Sequence, residues 1–320
     1  MNEPIEISQI ARDAGRVGDE LVAALSKSLV DMEAVIDQVV TATMAGGHVL
    51  LEGVPGTAKT TLCRSLGHVL GLDYRRIQFT PDLLPSDVTG TKIFNQSQSE
   101  FALQTGPLFC QLLLADELNR APARTQSALL EAMQENQVTI EGETLPLPSP
   151  FIVLATQNPV EQEGVYRLPE AQLDRFMFRV RVGYPERTGE INLLDLQEKP
   201  AAPLEQVCKP EQILRIQAFV DKVHCSTELK AYIVDLIRET RQHREVLLGA
   251  SPRAGIFMLK AARARALVQG KTFCTHEDVQ AIVNPVLEHR VIMRPEAELA
   301  GRDIRSVLED VVKKIPVLEG

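Results

Sequence analysis

The chain has 320 residues, of which 44% are hydrophobic and 24% are charged, and this composition is typical of a globular protein with two domains. The formal net charge is −9, and the acidic excess lies in residues 1–204, with 27 Asp and Glu against 16 Lys and Arg. Because binding to nucleic-acid phosphates requires a basic surface, we do not expect nucleic acid as a partner.

The cysteines and the amino terminus bear on location. The five cysteines include no C-x-x-C pair, which indicates neither a disulfide framework nor a zinc site. The first residues lack a basic leader followed by an apolar core, and no apolar run approaches the roughly 20 residues that cross a bilayer. These features predict a cytoplasmic protein without membrane insertion.

Helices are predicted first and strands after them. Residues 5–44 carry apolar positions at helical spacing and end at Gly46-Gly47, a helix-stop signal. Short apolar runs then recur, with turn or helix signals between them, at residues 48–52, 75–79, 111–115 and 151–155. Strands that alternate with helices predict a parallel sheet covered on both faces, with a ligand crevice at the carboxyl ends of the strands.

Two stretches interrupt this alternation. Residues 85–108 contain several turn signals and predict a hairpin or an insertion. Residues 138–145 place Glu-Gly-Glu between β-forming residues and predict a second hairpin. Both would project from the core.

A second domain is predicted after a linker. Residues 198–204 contain two prolines and are typical of a linker. The pattern beyond them is helical, at residues 211–223, 227–242, 252–269 and 276–290. The predicted domains are residues 1–204, with N-terminal helices and an α/β core, and residues 205–320, an all-helical domain.

The first predicted strand is followed by the sequence GVPGTAKT and then by a helical pattern. A glycine-rich loop in this context directs backbone N–H groups at a phosphate, and the helix adds its positive N-terminal end. Lys59 would reach the β- and γ-phosphates, and Thr60 would offer its hydroxyl to Mg²⁺. An ordinary glycine-rich turn is the alternative. The predicted nucleotide-binding residues are Gly53, Val54, Pro55, Gly56, Thr57, Ala58, Lys59, Thr60 and Thr61.

Ala58 departs from the phosphate-loop pattern G-x-x-x-x-G-K-[ST], which has glycine at this position. The alanine weakens the motif if the backbone there needs positive φ. In ordinary helical geometry at the start of the helix it costs little.

Two carboxylates end the third predicted strand. Asp116 can hold Mg²⁺ through its waters, and Glu117 can orient or deprotonate an attacking water. A helix N-cap is the alternative for two such neighbouring residues. The preceding loop with Lys59 and Thr60 favours the metal site.

One amide and two arginines complete the candidates. Asn158 follows the fourth predicted strand and can hydrogen-bond water or the γ-phosphate, or it can serve simple turn chemistry before Pro159. Arg175 closes the helical segment 168–176, and Arg253 opens a later helix. Each arginine can form a surface salt bridge, or it can neutralise the charge that develops on a transferred phosphoryl group.

Taken in order, these motifs resemble those of the AAA+ ATPases. GVPGTAKT resembles a Walker A loop, LLLADELNRAP a Walker B segment, ATQNP a sensor 1, LPEAQLDRF an arginine-finger segment and SPRAG a sensor 2. The residues of these motifs, together with the segments GGHVLLEG and QFTPDLLP, are similar to those of the MoxR subfamily, in which alanine before the loop lysine is usual. The resemblance covers the chain from about residue 30 onward.

The resemblance implies a P-loop NTPase core with a C-terminal lid, and ATP and Mg²⁺ as cofactors. It implies sensor roles for Asn158 and Arg253, and it makes Arg175 a finger that reaches the γ-phosphate of a neighbouring subunit. It also implies a homo-oligomer, commonly a hexameric ring, that hydrolyses ATP as a chaperone-like remodelling enzyme on a protein client. Members often work beside a separate protein with a von Willebrand factor A domain and assist metal-cofactor insertion or complex maturation.

Other functions compete with this one. Helicase relatives carry similar hairpin insertions, so a DNA-directed motor is an alternative, although the acidic balance disfavours it. A nucleotide-gated binding module with little turnover is another, and Glu117 disfavours it because a pure switch has little need of a water-activating carboxylate. A small-molecule kinase would need an acceptor pocket that the predicted elements do not resemble.

Overall fold

A computed structural model of the protein describes residues 3–97, 99–159, 165–197 and 203–317. The helices are α1 Glu3–Ser26, α2 Glu33–Met44, α3 Lys59–Val69, α4 Pro85–Thr89, α5 Ala123–Glu135, α6 Glu170–Leu173, α7 Arg187–Gln197, α8 Pro210–Val220, α9 Thr227–Gln242, α10 Pro252–Val268, α11 His276–Ala281, α12 Val283–Leu287, α13 Pro295–Leu299 and α14 Ile304–Lys314. The strands are β1 Val49–Glu52, β2 Tyr74–Gln78, β3 Gly90–Asn95, β4 Glu100–Thr105, β5 Leu112–Asp116, β6 Gln137–Ile140, β7 Glu143–Pro146, β8 Ile152–Gln157, β9 Phe178–Arg181, β10 Val246–Leu248 and β11 Ile292–Met293. A turn of 3-10 helix spans Leu118–Arg120.

The central sheet has the strand order β2-β5-β8-β1-β9 and is parallel throughout. The four predicted strands are confirmed as β1, β2, β5 and β8. The strand β9 was not predicted, because its four residues, Phe-Arg-Val-Arg, contain no continuous apolar run of the kind from which the other strands were predicted. Since parallel strands end at the same edge, the loops after β1, β5 and β8 are neighbours.

Both faces of the sheet are buried, as a parallel sheet requires. Successive side chains of a strand point to opposite faces. On β5, Leu112 and Leu114 pack into a large hydrophobic cluster with α1, α2, α3 and the carboxyl-terminal helices. Leu113 and Ala115 pack into a second cluster on the opposite face, which includes residues of α5 and of the strands β1, β2 and β8. The sheet is therefore held in place from two sides.

Both predicted hairpins are confirmed. The first consists of β3 and β4, which pair antiparallel with Asn95 opposite Glu100. The second consists of β6 and β7, with Ile140 opposite Glu143. The tight turn of the second hairpin contains Glu141 and Gly142, both with positive φ.

The carboxyl-terminal region from α8 to α14 is helical apart from one short antiparallel ladder, β10 with β11, which the sequence did not predict. The predicted helix 276–290 is divided into α11 and α12 at Ile282. Of the predicted linker, residues 198–202 lie outside the described residues. Within the described part of the chain, every helix is too short or too polar to cross a membrane.

Candidate functional site

The loop between β1 and α3 has the backbone geometry that its glycines predict. A Cβ at Gly53 would lie 2.4 Å from the carbonyl oxygen of Val182, so glycine is required by close approach of the backbone. Gly56 has φ +84°, in the left-handed region that glycine adopts most easily. The loop then enters α3 at Lys59.

Ala58 is also in the left-handed region, with φ 56° and ψ 17°. The favourable case considered from the sequence, ordinary helical geometry at this position, is therefore wrong. The residue precedes the first helical residue and carries the positive φ that a second glycine would adopt without strain. A left-handed residue with a Cβ costs roughly 1–2 kcal/mol.

The ammonium group of Lys59 lies over its own loop. Its Nζ donates hydrogen bonds to the carbonyl oxygens of Gly53 and Val54, each at 2.7 Å, and to Thr57 Oγ1 at 3.3 Å. Burial lowers the pKa of Lys59, and the nearby carboxylates of Asp116 and Glu117 oppose that shift. Lysine and carboxylates are thus close enough to interact electrostatically.

Asp116 is buried at the end of β5 and is held by two neighbouring strands. Its Oδ1 accepts a hydrogen bond of 2.6 Å from Thr156 Oγ1 on β8. Its Oδ2 accepts from Arg76 on β2, at 3.1 Å from Nε and 2.7 Å from Nη2. A carboxylate bound from both sides keeps one orientation toward the crevice.

Glu117 follows directly and has a left-handed backbone with φ 55°. Its N–H donates to Thr156 Oγ1 at 2.8 Å. Its Oε2 accepts from Gln78 Nε2 at 2.7 Å and from Arg120 Nη1 at 2.8 Å. Gln78 also accepts a 2.6 Å bond from Arg76, so one network of hydrogen bonds joins both carboxylates to the end of β2.

One cavity of about 380 Å³ collects most of the predicted site residues. It is lined by Gly53, Pro55, Gly56, Thr57, Ala58, Lys59, Thr60, Thr61, Asp116, Glu117, Thr156, Gln157 and Asn158. Among the predicted loop residues, Val54 contributes its carbonyl oxygen to Lys59 instead. Asn158 is buried, and it reaches the cavity from the end of β8.

The residues of this cavity fit a nucleotide with a divalent cation. The loop supplies a lysine and a helix N-terminus for phosphates. The hydroxyl of Thr60 and the carboxylate of Asp116 are hard oxygen ligands, which Mg²⁺ prefers. The Asp116 carboxylate, which is buried and belongs to the lining of the same cavity, matches this chemistry.

The two predicted arginines lie elsewhere. Neither Arg175 nor Arg253 is among the described residues that line the cavity. Arg175 Nη1 donates to the carbonyl oxygen of Leu130 on α5 at 2.5 Å. Arg253 Nε lies 3.8 Å from Asp174 Oδ2, and its guanidinium lies 5.7 Å from the ring centroid of Phe257. Both arginines therefore lie near the segment before β9 in the same chain.

Sequence reasoning missed three residues that hold the carboxylates: Arg76, Gln78 and Thr156. Their contacts cross between strands that are about 40 residues apart in the chain. The available signal was polarity: Arg76 and Gln78 are polar positions near the end of a predicted strand. Their partners follow from the strand order, which the sequence did not specify.

Comparisons with known proteins agree with this geometry. Residues 48–178 match the model of the "ATPase family associated with various cellular activities (AAA)", and residues 238–311 match an AAA lid domain. The fold and the two matches together define an AAA+ ATPase with a C-terminal lid.

Relatives define the subfamily. The chain is 48% identical to protein YeaC of Bacillus subtilis, over 86% of this chain and 88% of that protein. It is 41% identical to chaperone MoxR1 of Mycobacterium tuberculosis, over 87% of this chain and 76% of that protein. The chain belongs to the MoxR AAA+ ATPases.

A more distant relative and a solved structure extend the comparison. A homolog of magnesium-chelatase subunit ChlI from Methanocaldococcus jannaschii is 29% identical over 58% of this chain and 51% of that protein. A crystal structure from Cytophaga hutchinsonii superposes with a TM-score of 0.91 and 38% identity over 100% of both chains. The whole described fold is thus shared with a solved protein.

Proposed function

We propose that the chain binds ATP and Mg²⁺ in the cavity between the β1 loop and the end of β5, and that it hydrolyses ATP there. The observation that carries this proposal is that Lys59, Asp116, Glu117 and Asn158 line one cavity of about 380 Å³. Because Glu117 lies in that cavity, turnover is favoured over a nucleotide-gated module with little hydrolysis.

Each residue has a role in this proposal. The backbone N–H groups of residues 53–61 and the ammonium of Lys59 bind the phosphates. Thr60 and Asp116 hold Mg²⁺, which neutralises charge on the β- and γ-phosphate oxygens when bound. Glu117 orients the attacking water and takes its proton, and Asn158 hydrogen-bonds the water or the γ-phosphate.

The site is completed, we infer, by a neighbouring subunit. Arg175 and Arg253 are not among the described residues that line the cavity of their own chain, and Arg253 lies near Asp174, the residue before Arg175. Supplied in trans, two guanidinium groups would neutralise the charge that develops on the transferred phosphoryl group. This arrangement requires a homo-oligomer, and we propose a closed hexameric ring of chains with a core at 1–204 and a lid at 205–320.

The cycle would act on a protein client. The hairpin of β3 and β4 carries Phe94 and Phe101 on one face, 49% and 68% exposed, with ring centroids 5.3 Å apart. An exposed apolar pair on a projecting hairpin suits contact with a client chain. The chaperone and magnesium-chelatase names of relatives support remodelling, with metal-cofactor insertion or complex maturation as the outcome. The motif resemblance to the MoxR subfamily motivates a separate von Willebrand factor A domain protein as partner.

Mixing two inactive variants tests the proposal. Lys59→Ala removes phosphate binding and keeps Arg175, whereas Arg175→Ala keeps the loop and removes the finger. Each alone should lose ATP turnover, by about 10³-fold or more for Arg175→Ala. Mixed in equal amounts, they should recover about one quarter of wild-type turnover, since one interface in four then pairs an intact loop with an intact finger.

The outcomes of the mixture are distinct. No recovery, with normal assembly of both variants, means that Arg175 does not act across an interface. Full activity of Arg175→Ala alone removes its catalytic role. Failure of the wild-type protein to turn over Mg²⁺-ATP overturns the whole proposal.

A further inference from the structure

Two cysteines of the carboxyl-terminal helices are brought together by backbone pairing. The segments before α9 and before α11 form a parallel β-bridge between His224 and Phe273. His224 N donates to Thr272 O at 3.0 Å, and Cys274 N donates to His224 O at 2.9 Å. Cys225 and Cys274 each follow a bridged residue, so they occupy matching positions on the two segments.

Matching positions on paired segments suit a disulfide. Neighbouring strands lie about 4.7–4.9 Å apart, and the Cα atoms of a disulfide usually lie about 4.4–6.8 Å apart. Side chains at matching positions of a parallel pair point to the same side. The two side chains are close enough for the Cys274 thiol, acting as a hydrogen-bond donor, to lower the pKa of Cys225. Both side chains are buried, and both are free thiols.

The surroundings distinguish the two sulfurs. The hydrogen bond from Cys274 lowers the pKa of Cys225 to about 7, and the cations Arg263 and Lys230 add to this effect against the opposing effect of burial. The same contact, burial and the carboxylate of Asp278 raise the pKa of Cys274. These opposite shifts make Cys225 the more nucleophilic thiol of the pair.

The other three cysteines show the opposite chemistry. Burial raises the pKa of Cys110 to about 12 and that of Cys208 to about 11, and it also raises the pKa of Cys63. At neutral pH these groups are neutral thiols, which react slowly. They provide internal controls within the same chain.

Cys225 is only 5% exposed, but it borders open space. It lines an open cavity of about 480 Å³ on the surface of the carboxyl-terminal helices. Its lining includes the cations Lys222, Lys230 and Arg263 together with the carboxylates of Asp221 and Glu228. Cys225 is in the described lining of the cavity and Cys274 is not, so a small oxidant in the cavity meets Cys225 first.

We propose that Cys225 and Cys274 are a redox-active dithiol, in which Cys225 is attacked first by a peroxide and Cys274 resolves the product. The Cys225 thiolate displaces hydroxide from hydrogen peroxide and becomes a sulfenic acid, and the hydroxide takes up a proton to become water. Cys274 then attacks the Cys225 sulfur, its proton leaves with the second oxygen as water, and a disulfide remains. Two thiols and one peroxide thus give one disulfide and two waters.

This site is independent of ATP hydrolysis. In a reducing compartment the pair rests as two thiols, and cytosolic disulfides of this kind are transient. When formed, the bond would join the segment before α9 covalently to the segment before α11.

Peptide mapping of the full-length protein tests the proposal. The folded protein is treated with hydrogen peroxide at pH 7 and then unfolded in the presence of an alkylating agent. It is digested without reduction and analysed by mass spectrometry. We expect a cross-linked peptide that contains Cys225 and Cys274, with Cys63, Cys110 and Cys208 recovered alkylated after unfolding. Absence of this cross-link under conditions that oxidise an ordinary exposed thiol overturns the proposal. The experiment uses the wild-type protein and needs no variant.

The roles of the two sulfurs are tested with single substitutions. In Cys274→Ser, a dimedone probe should trap the sulfenic acid on Cys225. In Cys225→Ser, trapping at Cys274 should be at least about tenfold slower, because burial and the carboxylate of Asp278 raise the pKa of Cys274 and keep it a neutral thiol. Cys208→Ser removes another buried thiol and should leave trapping at Cys225 unchanged. Equal trapping on either cysteine would reverse or remove the assignment.

Discussion

At the scale of single residues, the loop carries a cost that one substitution removes. Ala58 has φ 56°, which costs roughly 1–2 kcal/mol for a residue with a Cβ. Glycine removes that strain, but its greater conformational freedom in the unfolded chain destabilises the folded state by about 0.5–1 kcal/mol. We therefore expect Ala58→Gly to raise the free energy of unfolding by up to about 1.5 kcal/mol, measured by urea denaturation.

A matched control separates strain from entropy. Ala300 is exposed and has an ordinary φ of −77° at the end of α13. Ala300→Gly should lower the free energy of unfolding through the entropy term alone. If Ala58→Gly destabilises the protein as much as Ala300→Gly does, the strain at Ala58 is absent.

A second residue-scale prediction concerns pH. His48 is buried just before β1, where Val153 N–H donates to its Nδ1 at 3.0 Å and its Nε2 lies 3.1 Å from Met133 O. This arrangement fixes the neutral ring with the proton on Nε2. Burial lowers the pKa of His48 from 6.5 to about 4, against the hydrogen bond to Met133 that raises it.

Because the folded pKa lies below the unfolded one, the unfolded chain binds the proton first as pH falls. Stability is therefore complete above about pH 6.5 and is lost between pH 6.5 and pH 4. From pH 7 to pH 5 this group should lower the free energy of unfolding by about 2 kcal/mol. His48→Gln keeps a donor and an acceptor and should lose that part of the pH dependence, whereas the slope from the buried His289 remains in both proteins. Equal slopes in wild type and variant would argue against the assignment.

At the scale of elements, most of the fold followed from the sequence. The strands β1, β5 and β8 are continuous apolar runs, and such runs mark fully buried strands. The edge strands are harder: β2 is half exposed, and β9 alternates charged and apolar residues. In the candidate site, the loop and the carboxylates are local motifs and were predicted. The contacts of Arg76, Gln78 and Thr156 depend on strand order, and the left-handed backbone of Ala58 depends on the loop geometry.

The element-scale prediction concerns the hairpin of β3 and β4. Phe94 and Phe101 are exposed, so replacing both by Ser should change the free energy of unfolding little. We expect basal ATP turnover to be retained and its stimulation by a permanently unfolded model protein to be lost. The measurement is ATP turnover with and without that protein.

The second hairpin offers the control. Thr139 and Thr144 face each other across β6 and β7, are exposed, and bond through their hydroxyls at 3.0 Å. Replacing both by Ser keeps a polar surface and should leave stimulation intact. If stimulation survives the loss of both phenylalanines, the hairpin of β3 and β4 does not contact the client.

At the scale of the whole molecule, the lid and the segment of Arg175 are joined. Arg290 lies shortly after α12 and is buried. It donates to Asp174 Oδ1 at 2.6 Å, and to the carbonyl oxygens of Phe176 and Met177 at 2.7 and 3.2 Å. Burial lowers the pKa of Arg290 to about 10, which leaves it charged at neutral pH. Arg253 approaches the other oxygen of Asp174. The lid therefore holds Arg253 near Asp174, the residue before Arg175, and Arg253 is not among the described residues that line the cavity of its own chain.

This placement predicts that Arg253 acts on the nucleotide of a neighbour. Arg253→Ala alone should lower ATP turnover by about 100-fold. An equal mixture of Arg253→Ala with Lys59→Ala should recover about one quarter of wild-type turnover, because intact loops then meet intact arginines across some interfaces. Arg244→Ala, which alters a highly exposed arginine near the same helices, should retain full turnover alone. Only a residue that acts in trans can be supplied by the partner variant. If Lys59→Ala restores turnover when mixed with Arg175→Ala but not when mixed with Arg253→Ala, Arg253 acts on the nucleotide of its own chain.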